Sequence, residues 1–290
     1  MVTIADLLAY SSRLQTVSDT ALLDTELLLA HCLDNTRTFL KAWPDKTVDP
    51  IIQVTFEDLF ARRLAGEPIA YILGRQGFWS LDLQVNTSTL IPRPETELLV
   101  EKALALFRDR QDLSVLDLGT GTGAIALSLA SENPSWQITG CDKAPKAIAL
   151  AEQNRQQLLP NNSHVVFLES DWFSAIPSTQ FDLIITNPPY IDGDDPHLSR
   201  GDVRFEPVSA LVADGQGLAD IDSIIQQAPN FLVQGGWLLI EHGYQQAAAV
   251  TQRLAAAGFS QVFTDHDLAG LDRVSGGCFN ENTLHSLLDG

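Results

Sequence analysis

The sequence predicts an α/β protein, in which a doubly wound, mostly parallel sheet of seven strands follows a small all-α N-terminal domain and a short β-hairpin linker. Three observations predict this. Up to Gly74 apolar residues recur with the helical period, from Pro94 strands and helices alternate, and two neighbouring strands close the chain. We therefore expect a helical domain (1–74), a hairpin linker (75–93) and an α/β domain (94–290).

Helix-start signals support the helical domain. Thr3 and Asp6 have the spacing of a capping box, and Asp49 followed by Pro50 is typical of an N-cap and a first helical residue. After Gly74, "GFWSLDLQVNTSTLIP" alternates apolar and polar residues, which predicts the hairpin linker.

Seven strands and their helices can be read from Pro94 onward. The predicted strands are "LSVLDLG", "WQITGCD", "HVVFLES", "FDLIITN", "GWLLIEH", "FSQVFTDHD" and "LDRVSGGCFN". Helices are expected between most of them, one of them around 221–232, and a tight turn at Ala269-Gly270 joins the last two strands. This alternation favours a parallel sheet with helices on both faces.

Composition narrows the function classes. The chain has 37 acidic and 18 basic residues, a formal net charge of -19, which disfavours broad phosphate-backbone binding and favours a small molecule or a protein as substrate. No apolar run predicts a membrane span or a signal peptide, and the three cysteines lack metal or disulfide spacing. We expect a cytoplasmic protein with reduced thiols, no metal site and no need to oligomerise.

A glycine-rich loop predicts a nucleotide-like cofactor. "VLDLGTGTGAIAL" places Gly119, Gly121 and Gly123 between a strand and its helix, where the backbone can approach a ligand. Asp142, about twenty residues on, ends the next strand and can accept both hydroxyls of a ribose. The glycines also fit the looser pattern of dinucleotide binders.

Two further acids and an aromatic residue bear on the cofactor. Asp117 is expected to point at the site, which suits a cationic ligand better than a pyrophosphate. The "SDWF" segment offers Trp172 as a face for adenine and Asp171 as an acceptor for its amino group. The closing antiparallel strands resemble those of S-adenosylmethionine-dependent methyltransferases rather than those of dehydrogenases.

The predicted fourth strand of the sheet runs into "NPPY", a stiff loop with an amide at one end and a phenol at the other. The side-chain oxygen of Asn187 and the backbone carbonyl of Pro188 can accept the two hydrogens of a planar NH₂ group. Pro189 stiffens the loop, and Tyr190 offers a flat face for packing. This arrangement predicts methyl transfer to a planar nitrogen held in line with a sulfonium.

These motifs resemble a known family. "GEPIAYILG", "LIPRPETE", "LDLGTGTGAIALSLA", "SDWF", "NPPYI", "DPHLSRGDVRFEP" and "EHG" are similar to the HemK/PrmC family of peptide chain release factor glutamine methyltransferases, over nearly the whole chain. The resemblance implies the S-adenosylmethionine-dependent methyltransferase fold, that cofactor, and a Gly-Gly-Gln loop of class 1 release factors as substrate. It implies cofactor contacts by Gly119, Thr120, Gly121, Thr122, Gly123, Asp142, Trp172 and Asn187, and glutamine contacts by Asn187, Pro188, Pro189 and Tyr190, with Asn187, Pro188 and Tyr190 as the catalytic set.

Other readings of these motifs remain open at this point. A nucleic-acid adenine methyltransferase can carry the same tetrapeptide, although the acidic charge and the lack of a basic recognition region oppose it. An inactive module that binds translation factors is a second alternative, and the intact glycine loop, Asp142 and Asn187 oppose it. A nicotinamide oxidoreductase is the weakest alternative.

Overall fold

A computed structural model describes residues 1–280, so residues 281–290 of the predicted α/β domain lie outside the described part of the chain. The chain divides into two compact units. The first comprises Met1–Arg75 together with Pro196–Phe205, and the second comprises 76–195 and, of the described residues, 206–280. The sequence did not indicate that a segment beyond residue 195 would group with the N-terminal helices.

The first unit contains five α-helices, and an intervening 3₁₀ helix over Ala9–Leu14 follows the first of them. The helices are α1 (Ile4–Leu8), α2 (Ala21–Cys32), α3 (Arg37–Ala42), α4 (Pro50–Leu64) and α5 (Ile69–Leu73). The capping box of Thr3 and Asp6 is confirmed, as is the cap of α4 by Asp49 ahead of Pro50. An apolar core that includes Leu28, Phe56 and Phe60 holds the helices together.

One buried arginine ties this unit to its distant segment. The Nε atom of Arg63 donates to Asp24 at 2.7 Å, and both side chains are almost fully buried. The same guanidinium donates from its Nη1 atom to Asp202 of the segment at 2.9 Å, and the Asp202 side chain is partly exposed. Because a buried guanidinium needs acceptors for its N–H groups, the contact with Asp202 favours the placement of the segment in the helical unit.

The second unit is a seven-stranded sheet of order β5-β4-β3-β6-β7-β9-β8, next to a two-stranded sheet of β1 and β2. Its strands are β1 (Arg75–Phe78), β2 (Leu81–Gln84), β3 (Ser114–Leu118), β4 (Gln137–Asp142), β5 (Val165–Glu169), β6 (Phe181–Thr186), β7 (Leu232–Glu241), β8 (Phe259–His266) and β9 (Asp272–Phe279). The helices are α6 (Glu97–Leu106), α7 (Ala124–Glu132), α8 (Pro145–Leu158), α9 (Ala219–Gln227) and α10 (Ala247–Ala256). Strands β3 to β7 pair in parallel, whereas β9 runs antiparallel to both β7 and β8.

Alternate residues of the central strands face opposite cores, which explains the nearly continuous apolar runs in the sequence. Leu183 and Ile185 of β6 belong to the core that includes α6 and α7, while Ile184 between them belongs to the core that includes α9 and α10. The predicted fold class, a mostly parallel seven-stranded sheet with helices on both faces, is confirmed. So is the turn before β9, where Gly270 has a φ of 78° and donates to Asp267.

The prediction of a helix around 221–232 is wrong at the C-terminal end of that helix. Helix α9 ends at Gln227, a 3₁₀ turn covers Ala228–Asn230, and Leu232 already belongs to β7. Pro229 lies in that turn, and a proline lacks the backbone donor that would continue the helix.

Candidate active site

The sheet brings the predicted site residues together at one edge. Because β3, β4, β5 and β6 are parallel, the loops that leave their carboxyl ends lie side by side. Leu118 at the end of β3 pairs with Thr186 of β6, and Asp142 at the end of β4 pairs with Glu169 of β5. The strand order reverses between β3 and β6, which is where open α/β sheets bind ligands.

The glycine loop (residues 119–123) needs its glycines. Gly119, Gly121 and Gly123 have φ values of 72°, 54° and 82°, in the left-handed region that side chains rarely adopt. A Cβ on Gly123 would also lie 3.1 Å from Leu127 and from Phe167. A larger residue there would therefore force the start of α7 and these side chains apart. The glycines therefore let a ligand approach the loop backbone closely where the helix begins.

Asp142 closes one side of this loop. Its Oδ2 atom accepts from the amide of Gly121 at 3.1 Å, and its Oδ1 atom accepts from the amide of Ala144 at 2.9 Å. The carboxylate thus lies beside the loop backbone in a fixed orientation. Each oxygen has a second lone pair, which can accept from a ligand hydroxyl.

Trp172 packs over the same loop from the end of β5. Its φ of 47° is unusual for a bulky residue, and the carbonyl of Trp172 accepts from the hydroxyl of Ser170 at 2.8 Å, which holds the turn. The indole Nε1 donates to Asp220 at 3.2 Å, and a Cβ on Gly119 would lie 3.4 Å from the ring. The ring is therefore held in place at the entrance of the loop.

A cleft with an empty volume of about 940 Å³, its open mouth included, joins these groups. Of the predicted site residues, it is lined by Gly119, Thr120, Gly121, Thr122, Asp142, Trp172, Asn187 and Pro189. Gly123, Pro188 and Tyr190 do not line it. Gly123 caps α7, Pro188 is buried, and the Tyr190 ring packs inward.

Asn187 reaches the cleft from the end of β6 with its amide held by one hydrogen bond. Its Nδ2 atom donates to the hydroxyl of Thr96 at 3.1 Å. Thr96 lines the cleft from the turn that precedes α6. This bond sets the amide plane and leaves Oδ1 as the atom of Asn187 that can accept from a ligand.

Tyr190 is anchored through a buried acid. Its hydroxyl donates to Oε1 of Glu241 at 3.2 Å, and its carbonyl accepts from Nε2 of Gln246 at 3.1 Å. Burial, and then the neighbouring Glu241, raises the pKa of Tyr190. The phenol is therefore a neutral donor, and its ring packs against the core that contains α9 and α10.

Glu241 and Thr96 are site residues that the sequence reasoning missed. Glu241 ends β7 with 1% of its surface exposed, and burial raises its pKa to about 7. Thr96 lowers that pKa, because its hydroxyl can donate to the carboxylate. The "LIPRPETE" and "EHG" segments contain these residues, but only as points of family resemblance.

The expectation that Asp117 points an acid at the site is wrong. Asp117 is completely buried and does not line the cleft. Its Oδ2 atom accepts from the hydroxyl of Thr120 at 2.6 Å and from the amide of Ala126 at 3.3 Å, so it braces the glycine loop against α7. Burial raises the pKa of Asp117 to about 7.

Two further polar residues, which the sequence analysis did not assign to the site, support the chain around the cleft. Glu206, whose side chain is fully buried, pairs with the guanidinium of Arg93 and accepts from the amide of Ile91 at 2.9 Å. Asn154, also buried, donates from Nδ2 to the carbonyls of Thr122 at 2.9 Å and Gln84 at 3.1 Å. Glu206 thus holds the chain around Arg93, which lines the cleft, and Asn154 holds the glycine loop.

Within residues 1–280, no three His, Cys, Asp or Glu side chains lie close enough together to hold a metal ion. In the same part of the chain, every helix is too short or too polar to cross a bilayer.

Comparison with known proteins decides the family. Residues 7–74 match a family model described as the PrmC N-terminal domain, and residues 94–205 match one described as the methyltransferase small domain. A Pseudomonas aeruginosa protein named release factor glutamine methyltransferase is 56% identical over 89% of this chain and 92% of its own. The chain belongs to the release factor glutamine methyltransferase family.

Other relatives with this name are similar to the chain over nearly the same share of its length. Proteins of that name from Vibrio cholerae and Escherichia coli are 53% and 50% identical, and they cover 90% and 87% of this chain and 91% and 90% of their own lengths. The predicted resemblance to the HemK/PrmC family is confirmed. A protein of this family is a methyltransferase, which also confirms the predicted enzyme class.

Solved structures support the fold. A methyltransferase from Pyrococcus furiosus matches 77% of this chain and 99% of its own with a TM-score of 0.53 and 19% identity. The hMettl16 catalytic domain, solved with a MAT2A 3′UTR hairpin, matches 77% of this chain and 82% of its own with a TM-score of 0.56 and 17% identity. At these identities the likeness concerns the fold alone.

Proposed function

We propose that this chain transfers a methyl group from S-adenosylmethionine to the side-chain amide nitrogen of a glutamine in a peptide chain release factor. The glutamine is that of the Gly-Gly-Gln motif of class 1 release factors. The observation that carries the proposal is the place of Asn187, whose amide lies in the same cleft as the glycine loop and Asp142. The family membership supports it, since the relatives align with this chain over about nine-tenths of their length.

The cleft suits an adenosine-type cofactor. Three left-handed glycines leave the backbone of residues 119–123 open to close approach, and the Asp142 carboxylate lies beside them to accept ribose hydroxyls. Trp172 and Asp171 line the same cleft and would contact the adenine. When bound there, the cofactor supplies an electrophilic methyl group on a sulfonium sulfur.

Asn187 and Pro188 would orient the nitrogen of the glutamine. An amide nitrogen is a poor nucleophile while its lone pair is delocalised into the carbonyl. Oδ1 of Asn187 and the backbone carbonyl of Pro188 can each accept one of its hydrogens, which holds the lone pair toward the methyl group and stabilises the positive charge that develops. No catalytic base need act before the attack, because the methylated nitrogen loses a proton to water readily.

Tyr190 would support this step. Both ends of the residue are hydrogen-bonded, the hydroxyl to Glu241 and the carbonyl to Gln246, and its ring packs inward against the core. Tyr190 would therefore hold the loop that presents Asn187 and Pro188 in one position. We assign Tyr190 this positioning role and no role in proton transfer.

We further propose that the helical unit contacts the release factor. Ile51 and Val54, one turn apart on α4, are 77% and 57% exposed, so they present a small apolar face to a partner. Ile51→Asp is expected to raise KM for the release factor about tenfold, a typical cost for a contact in a protein interface, without changing kcat. Leu268→Asp, in the turn before β9, is the control because that leucine is also an exposed apolar residue.

Mass spectrometry tests the proposed function. A release factor incubated with enzyme and S-adenosylmethionine should gain one methyl group, on the glutamine of the Gly-Gly-Gln motif. A release factor with that glutamine replaced by alanine is the matched control and should gain none. Transfer of labelled methyl to DNA or RNA, with none to the release factor, would overturn the proposal in favour of a nucleic-acid methyltransferase.

A further inference from the structure

The Asn-Pro-Pro-Tyr segment ends beside a strained turn. Gly215, Gln216 and Gly217 have φ values of 63°, 61° and 77°, so three successive residues lie in the left-handed region and one of them is not a glycine. A Cβ on Gly217 would lie 2.1 Å from the carbonyl oxygen of Tyr190, so this left-handed turn passes that carbonyl at a distance that only glycine allows. Strained backbone of this kind persists where the surrounding structure holds it, and it is concentrated at functional sites.

The side-chain amide of Gln246 joins the left-handed turn to the segment. Its Nε2 atom donates to the carbonyl of Tyr190 at 3.1 Å and to the carbonyl of Gln216 at 3.2 Å, while its Oε1 atom accepts from the amide of Gly243 at 2.8 Å. Both hydrogens of the amide and its oxygen therefore have partners, and the opposite orientation of the amide would set its oxygen against two carbonyl oxygens. Three loops thus meet at one side chain.

The Gln246 side chain does not serve the helix that follows it. Gln246 directly precedes α10, but its side chain makes no hydrogen bond that caps this helix. Gln246 also does not line the cleft, so a ligand bound there would not touch it. An amide with partners on three separate loops fixes those loops relative to one another. The side chain therefore acts on the segment and not on the helix.

The segment is stiff enough to transmit this restraint to Pro188. Its other end is fixed by the sheet, where Thr186 of β6 pairs with Leu118 of β3 and donates from its hydroxyl to the Leu118 carbonyl at 2.8 Å. Between the two ends, the rings of Pro188 and Pro189 fix φ. Holding the carbonyl of Tyr190 therefore also holds the backbone carbonyl of Pro188, two residues earlier.

We propose that Gln246 is a positioning residue for the methyl transfer: its amide holds the Tyr190 end of the segment, which keeps the Pro188 carbonyl where it can accept a hydrogen from the methyl-accepting nitrogen. The inference rests on the proposed function, in which that carbonyl is the second acceptor beside Asn187. It also accounts for the left-handed glutamine, because the strained turn brings the Gln216 carbonyl to the same amide as the Tyr190 carbonyl.

Two substitutions of Gln246 test this role. Gln246→Glu keeps the shape and the acceptor for Gly243, but an ionised carboxylate cannot donate, so both carbonyls lose their partner. Gln246→Met removes all three hydrogen bonds without adding a charge. Each should lower kcat about tenfold or more, because a misplaced reacting group can lower the rate by about 100-fold, while affinity for S-adenosylmethionine changes less than about twofold. Gln245→Glu, the same change at the exposed neighbour, is the matched control and should keep the wild-type kcat.

The split between turnover and cofactor binding separates positioning from a general defect of folding. A displaced segment slows the transfer but leaves the glycine loop and Asp142, which would bind the cofactor, in place. Single-turnover methylation of a release factor measures the rate, and calorimetry measures cofactor affinity. Equal losses of rate and affinity in both Gln246 variants would overturn the proposal, and so would a wild-type rate in both.

A spectroscopic measurement tests the restraint without any activity. The chain has four tyrosines, so isotopic labelling of tyrosine nitrogen gives few backbone signals, and the signal of Tyr190 is identified by its loss in Tyr190→Phe. This signal should shift in Gln246→Glu and Gln246→Met and stay in place in Gln245→Glu, with Tyr10 of the helical unit as the reference. An unchanged Tyr190 signal in both Gln246 variants would refute the inference. A wild-type enzyme that transfers no methyl group to a release factor, with the shift present, would overturn the proposed function and leave the restraint by Gln246 supported.

Discussion

Asn187→Ala removes the acceptor on which the proposed transfer depends, and the structure indicates that the variant still folds. The side chain is half-buried, it belongs to none of the apolar cores, and its amide makes one hydrogen bond, to Thr96. Losing a single neutral hydrogen bond costs about 1 kcal/mol of the free energy of unfolding. A fall in activity would therefore not reflect unfolding.

The expected loss of turnover is much larger than the loss of stability. Removing one preorganised group that stabilises developing charge lowers kcat by about 10²–10³. Because the carbonyl of Pro188 remains as a second acceptor, we expect the lower end, a fall of about 100-fold. Affinity for S-adenosylmethionine should fall by no more than about fivefold, the equivalent of one neutral hydrogen bond, since the glycine loop and Asp142 are unchanged.

Single-turnover methylation of a release factor, followed by mass spectrometry, measures the rate, and calorimetry measures cofactor binding. Asn161→Ala is the matched control, because that asparagine is exposed and lies after α8, outside the cleft. A wild-type rate in Asn187→Ala would remove the amide from the mechanism. A loss of cofactor affinity as large as the loss of rate would mean that Asn187 serves binding and not orientation.

Three further predictions concern the surroundings of the cleft. Asp142→Ala should weaken S-adenosylmethionine binding about 10-fold or more in calorimetry, since hydrogen bonds to a charged group contribute about 1.5–3 kcal/mol, and unchanged affinity would contradict the ribose contact. Burial raises the pKa of Asp117 from 3.8 to about 7, so its contribution to stability is complete below about pH 4 and is lost as pH rises through 7. Urea unfolding should therefore show a smaller loss of stability between pH 5 and 8 in Asp117→Asn than in the wild type, and parallel losses would refute this. Gly217→Ala would place a Cβ against the carbonyl oxygen of Tyr190, whereas Gly235→Ala, with a similar φ of 83° against 77°, meets nothing within 4 Å. Gly235→Ala should lose about 1 kcal/mol of stability from strained backbone, whereas Gly217→Ala should lose more, because its Cβ clashes with the backbone of Tyr190, and should also lower kcat. Equal kcat values in the two variants would contradict the importance of the Tyr190 position.

The main features of the site were predictable because they depend on local pattern and on sheet topology. Glycines after a buried strand, an acid at the end of the next strand and a proline-rich tetrapeptide after a later strand are all visible in the sequence. Parallel strands then bring their carboxyl ends to one edge whatever the details of packing. Hence Gly119, Asp142 and Asn187 do line one cleft.

Side-chain direction was less predictable than residue position. Asp117 was expected to face the cleft, but it turns into the protein and braces the glycine loop through Thr120 and Ala126. A strand residue faces one side of the sheet or the other, and its contacts then depend on the helix packed there. Pattern alone does not supply that packing, and it also missed the end of α9 at Gln227, two residues ahead of Pro229.

By itself the sequence determined the order of strands and helices, the left-handed glycine loop and the place of the Asn-Pro-Pro-Tyr segment at a strand end, because each of these depends on residues adjacent in the chain. The tertiary structure alone decided that Thr96 accepts from Asn187 and that Glu241 accepts from Tyr190, across 91 and 51 residues. It also decided that the segment Pro196–Phe205 groups with the N-terminal helices. Such contacts join distant parts of the chain, and they form only once strand register and core packing have fixed which side chains meet.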